Sequence, residues 1–85
     1  MKTRQILRSH VEKALRTKGL RRPISDHSRL ITSGLLDSMD ILGLAAVLEE
    51  RWGVDFSRVP FQAADLDTIN DMILLLQRLG KVDSP

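Results

Sequence analysis

The ten residues Ser33-Gly34-Leu35-Leu36-Asp37-Ser38-Met39-Asp40-Ile41-Leu42 decide how the chain is read. They pass from a loop into a helix and set one hydroxyl, Ser38, at the helix's positive end. Unpaired amide N–H groups of a first helical turn, with the macrodipole, favour an anion placed there. A phosphate esterified to Ser38 suits that position. A serine nucleophile would need a general base in reach and a strained G-x-S-x-G elbow. Neither is present, and the two histidines, His10 and His27, lie in other segments. The hydroxyl therefore reads as an attachment point. A plainer reading stands beside it: Asp and Ser are common N-caps, and Asp37 with Asp40 three residues on resembles a capping box.

Working outward, the helix entered at Ser38 is expected to run to about Trp52. At 100° per residue Ile41, Leu44, Ala45, Leu48 and Trp52 share its buried face. Met39, Leu42 and Ala46 fall on a separate side. There they either pack beneath the preceding loop or form an exposed apolar strip beside Asp37, Asp40, Glu49 and Glu50, suited to a basic partner. Gly43 weakens the helix by up to ~1 kcal/mol relative to Ala. Gly53 ends it, with Val54 packing back.

Upstream, Thr3 is the expected N-cap of a helix over residues 4–18, with Ile6, Leu7, Val11, Ala14 and Leu15 as its apolar stripe and Gly19 as its stop. His10 falls within the stripe as a core-edge histidine without companion metal ligands. The basic residues take the other side, which fits a solvated face, an anionic partner or a membrane surface. Leu20 to Leu36 has no sustained period and reads as a long loop, pinned by Leu20, Ile24, Leu30, Ile31, Leu35 and Leu36. Arg21, Arg22 and Arg29 are its candidates for touching phosphate or an acidic partner.

Downstream, Val54 to Ala64 is an irregular link, with a single helical turn at residues 61–65 and Val59, Phe61 and Leu66 plugging the core. A last helix starts at Asp67 or Thr68, where Thr68 and Asp71 form a cap pair. Its inner stripe is Ile69, Met72, Ile73, Leu76 and Leu79, with Leu75 flanking and Leu74 pointing away. Gly80 stops it. The organisation is one all-α domain over residues 1–80 and a mobile tail over 81–85.

Composition sets further bounds. Eighty-five residues suit one small domain that buries only about 60% of its unfolded surface. The only aromatics are Trp52, Phe56 and Phe61, so the core is aliphatic. Cysteine is absent, which removes disulfides and any protein thiol for thioester chemistry. The longest apolar run, Ile41 to Leu48, is far too short to span a bilayer. No signal-peptide pattern opens the chain, so the cytoplasm is the expected location. The net charge of +2 hides a division: residues 1–29 carry +7 and residues 30–85 carry −5.

The run L-x-x-x-G-L-L-D-S-M-D-I-L from Leu30 to Leu42, followed by Leu48-Glu49-Glu50-Arg51-Trp52-Gly53-Val54, resembles the acyl carrier protein family. The likeness continues through Val59-Pro60-Phe61 to Asp65-Leu66-Asp67-Thr68-Ile69-Asn70-Asp71-Met72. It covers about Leu30 to Leu79, and the first helix fits only by position and amphipathicity. The resemblance implies an acyl-carrier-like four-helix bundle, of three main helices, one short helix and a long first loop. It implies 4′-phosphopantetheine carried on Ser38, with acyl or aminoacyl groups held on the arm as thioesters. Asp37 matches the motif acid that lies close to the metal and basic site of a phosphopantetheinyl transferase. Met39, Asp40, Leu42, Ala46 and Glu49 match positions at the docking surface. The implied partners are that transferase, an acyl- or aminoacyl-loading ligase and downstream acyl-transfer enzymes. The chain itself would be a monomer that performs no catalysis, binds no nucleic acid and does not span a membrane.

Two features depart from the family pattern: Gly43 stands where many members have Glu, and the first third is basic. The G-L-L-D-S and L-E-E-R-W-G forms lean slightly towards free-standing aminoacyl or D-alanyl carriers over fatty-acid carriers. Two alternatives remain, a small helical nucleic-acid binder using the basic third and an interaction module without modification. The first leaves Asp37-Ser38 and the acidic second helix unexplained, and no helix-turn-helix spacing follows the basic helix.

Overall fold

A computed structural model of the chain describes residues 2–20 and 23–82. The order is α1 (Lys2–Thr17), α2 (Ser38–Trp52), a 3-10 turn (Ala63–Leu66) and α3 (Ile69–Arg78), with no strand among the described residues. The all-α class holds. The fourth element is one 3-10 turn and not an α-helix. It is squeezed between Pro60 and the α3 cap Thr68, and closes when Asp65 accepts from the Gln62 N–H (2.9 Å). It also sits slightly later than the expected 61–65.

α1 begins at Lys2, so the expected cap Thr3 lies inside the helix. Packing decides this: Thr3, Leu7, Val11 and Leu15 repeat every four residues, and all four are buried. The stripe thus extends a turn further towards the start than the apolar residues alone indicate. Ile6 and His10, assigned to the stripe, are only half-buried at its flank, and Ala14 packs at the core's margin.

α2 spans the expected range. Leu44, Ala45 and Leu48 are buried, while Ile41 and Trp52 are half-buried. Gly53 stops it at φ 68°, a left-handed conformation open to glycine. Its N–H reaches the Glu49 carbonyl (3.0 Å), and Val54 turns back into the core.

α3 supplies the largest share of the core, with Ile69, Met72, Ile73, Leu75 and Leu76 all buried. Leu75, read as a flank, is 1% exposed, because α3 is covered on two sides, by α1 and by the 3-10 turn. Leu79 is only half-buried since the helix has ended, and Leu74 faces solvent. Thr68 Oγ1 accepts from the Asp71 N–H (2.9 Å) and so caps α3 as its sequence indicates. Val82, assigned to a mobile tail, packs on the core. The remainder of that tail, residues 83–85, lies outside the described residues, as do Arg21 and Arg22.

Of the residues expected to pin the first loop, Ile24, Leu30 and Leu36 are buried and Ile31 and Leu35 half-buried, but Leu20 is exposed. Polar anchors complete the attachment. Arg4 and Arg8 of α1 both pair with Asp26, and Arg8 also donates to the Ile24 carbonyl (2.6 Å). The Asn70 N–H, in the first turn of α3, donates to the Asp26 carbonyl (3.1 Å).

Candidate functional site

The site is built where the loop becomes α2. Asp37 is extended (φ −104°, ψ −174°) and is the N-cap. Its Oδ1 accepts from the Asp40 N–H (3.1 Å), and Asp40 Oδ2 accepts from the Asp37 N–H (3.0 Å). The capping box read from the sequence is therefore closed in both directions, and its expected value is about 1 kcal/mol. Ser38 is the first helical residue and is exposed. Among the described residues its hydroxyl makes no hydrogen bond, and neither the Ser38 nor the Met39 N–H donates to a protein acceptor. Capping falls entirely to Asp37, so the Ser38 side chain is available.

Lys18, just beyond the end of α1, reaches across to this corner. Its Nζ lies 2.9 Å from Asp37 Oδ2 and 2.8 Å from Asp40 Oδ2. The Lys18 hydrogen bond, then the Asp40 N–H, holds the Asp37 carboxyl at about 2. In return Asp40, then Asp37, pushes the Lys18 ammonium above its ordinary value. The two carboxylates beside Ser38 are thus both committed to internal partners. Asp40, expected to face a docking partner, is only half-exposed and serves the cap.

A second anchor holds the loop in front of Ser38. Asp67 is 2% exposed and lies immediately before the α3 cap. Its Oδ1 accepts from the N–H groups of Ile31 (2.8 Å) and Thr32 (3.0 Å), and its Oδ2 from Thr32 Oγ1 (3.0 Å) and the Arg29 guanidinium (3.2 Å). Its own carbonyl accepts from the Leu30 N–H (2.7 Å). Burial pushes this carboxyl upwards, but the Thr32 and Ile31 N–H groups, the Thr32 hydroxyl and Arg29 outweigh it and hold it at about 2. Arg29, a candidate for an external anion, is thereby paired within the protein.

Along α2, Met39 and Leu42 are 74% and 62% exposed, and Ala46 is exposed too. They do not pack beneath the loop. At spacings of three and four they form one continuous strip running away from Ser38. Glu49, the next position on it, is exposed while its Oε2 accepts from the Phe56 N–H (3.3 Å). The arrangement brings together Asp37, Ser38, Met39, Asp40, Leu42, Ala46 and Glu49 at one end and along one face of α2.

Lys18 and Asp67 shape the site, and the sequence did not disclose either of them. No spacing rule links residue 18 to residues 37 and 40, and Asp67 beside Thr68 reads as one more capping acid. No helix among the described residues is long and apolar enough to cross a membrane. No family model, curated protein or solved structure matches the chain.

Proposed function

We propose that the chain is a carrier protein of the acyl-carrier type, bearing 4′-phosphopantetheine on Ser38 and presenting acyl or aminoacyl thioesters to successive enzymes. The single observation that carries this reading is the exposed, unbonded Ser38 hydroxyl at the first position of α2, relieved of capping by Asp37. The fit of the group is favourable. The Ser38 and Met39 N–H groups have no protein acceptor, as suits an anion near a helix start, and the cysteine-free chain has no thiol of its own.

In the proposed loading step a transferase brings coenzyme A to the site. The Ser38 oxygen forms a bond to the phosphorus of the pantetheine phosphate, 3′,5′-ADP leaves, and the hydroxyl proton passes to a base of the transferase. The bound arm supplies a thiol on which acyl groups are held. The chain's own residues do the rest. Asp37 keeps the helix start intact, and its side chain, 60% exposed although both oxygens have partners within the protein, remains within reach of the transferase's metal and basic site. Met39, Leu42 and Ala46 give an apolar strip for partner enzymes, flanked by Glu49. The three α-helices and the 3-10 turn are compatible with a carrier-type bundle whose short helix is reduced to one turn. The nucleic-acid alternative loses support because Arg4, Arg8, Lys18 and Arg29 of the basic third are engaged within the protein.

Incubation with coenzyme A and a broad-specificity phosphopantetheinyl transferase, followed by intact mass measurement, tests the proposal. The expected result is a gain of one phosphopantetheine that Ser38→Ala abolishes. No gain, or a gain that persists in Ser38→Ala, rejects it.

A further inference from the structure

Away from the Ser38 corner a second group of cations has no carboxylate partner. Lys13, Arg16 and Arg51 make no ion pair among the described residues, yet all three line one groove of about 530 Å³ between α1 and α2. On α1 the lining residues Gln5, Ser9, Lys13 and Arg16 follow at intervals of four, four and three. They make one row roughly 16 Å long at 1.5 Å per residue. α2 contributes Arg51, one turn after Val47, and the only carboxylate in the lining, Glu50. Ile6 and Val47 supply apolar surface.

Like charges gathered in a concave surface raise the local potential and draw counter-ions of opposite sign. His10, also in the lining, registers that field. Burial first, then Lys13 and Arg51, lower its imidazole pKa below the ordinary value. Glu50 offsets one of the three cations and leaves an excess of positive charge. Guanidinium forks match phosphate oxygens in two-point contacts, and an ammonium serves as a point charge beside them.

We propose that the α1–α2 groove binds a phosphate-bearing anion, with Lys13, Arg16 and Arg51 on its phosphate oxygens and Ser9 and Gln5 hydrogen-bonding alongside. Two cations one turn apart on α1 and a third from α2 supply enough donors for more than one phosphate group. The same chemistry is offered by a soluble diphosphate or by an anionic lipid headgroup. The site shares no residue with the Ser38 corner and does not rest on the carrier reading.

The test uses the full, unmodified chain and inorganic pyrophosphate, titrated at constant ionic strength and followed by NMR. Saturable shifts confined to the lining residues of α1 and α2 are expected. The Lys13→Gln/Arg51→Gln double variant should bind at least tenfold more weakly, and its thermal midpoint confirms that it is folded. Bound anion should also raise the His10 imidazole pKa, by the reciprocity of linked equilibria. The ring resonances of His27, which contacts Asn70, should not follow. Sedimentation with phosphatidylglycerol vesicles, against phosphatidylcholine vesicles, separates the sources. Retention that needs Lys13 and Arg51 assigns the lipid headgroup, and pyrophosphate binding without retention assigns a soluble ligand. Shifts spread over the whole basic surface, or binding unchanged in the double variant, overturn the proposal.

Discussion

Replacing Asp67 with Asn should cost about 2 kcal/mol of stability at neutral pH. The carboxyl is held at about 2 against an ordinary value of 3.8, and each pKa unit is worth about 1.4 kcal/mol. The side chain is 3% exposed, so solvent screening removes little of that. Asn keeps the volume and one carbonyl acceptor for the Ile31 or Thr32 N–H. It loses the charge facing Arg29 and turns an amide donor towards Thr32. Because the folded pKa is depressed, the contribution is complete above the unfolded value and fades as pH falls from about 4 to about 2. Urea denaturation followed by far-UV circular dichroism should give a wild-type minus variant gap of about 2 kcal/mol at about pH 6, shrinking at about pH 2. Against the roughly 4–13 kcal/mol expected of a domain this size, that is a large loss. Amide exchange at Ile31 and Thr32 should accelerate more than exchange at Leu48, since the anchored loop opens first. A gap equal at both pH values, or one below about 0.5 kcal/mol, would refute the role given to this carboxylate.

Gly43→Ala should stabilise by up to about 1 kcal/mol, because a Cβ there meets nothing within 4 Å. Thermal denaturation would show a raised midpoint, by roughly 4–8 °C if the full ~1 kcal/mol is realised. Lys18→Met should release the Asp37 carboxyl upwards from about 2; carboxyl NMR across acid pH reads this, and an unmoved titration counts against the clamp. Met39→Glu and Leu42→Glu, both at exposed positions, should change stability by no more than about 0.5 kcal/mol. On the carrier reading they should nevertheless slow transfer to partner enzymes from a Ser38-loaded chain, and full activity in both would remove the strip from the proposed docking surface. Leu48→Ala, at a fully buried position, should cost about 2–5 kcal/mol by chemical denaturation.

The helices were legible because their information is local. The Asp37–Asp40 box, the Thr68–Asp71 pair and Gly53 mark their own boundaries within four residues, and the stripe Leu7, Val11, Leu15 repeats along one helix. The separation of Met39, Leu42 and Ala46 from the core face of α2 was also legible, as a wheel sets them apart from Leu44 and Leu48. Whether that side was covered by the loop was not, since the answer depends on where residues 23–36 are tied down. Those ties are long-range and polar: Asp26 to α1, Asp67 to Ile31 and Thr32, and Lys18 to the α2 cap. Electrostatic pairing between distant segments carries no periodic trace. The same blindness placed Arg29 among external anion binders and treated the first third as one undivided basic face. The buried side of Leu75 was hidden for a different reason: two neighbouring elements cover it together, which the periodicity of one helix does not show.

At the head of α2 one residue secures the coil while the next is left without structural duty. The fold therefore tolerates a change of occupant at that second position. A group attached there would displace no core contact, so on the carrier reading unloaded and loaded copies would share one architecture and differ only in what they hold out to solvent.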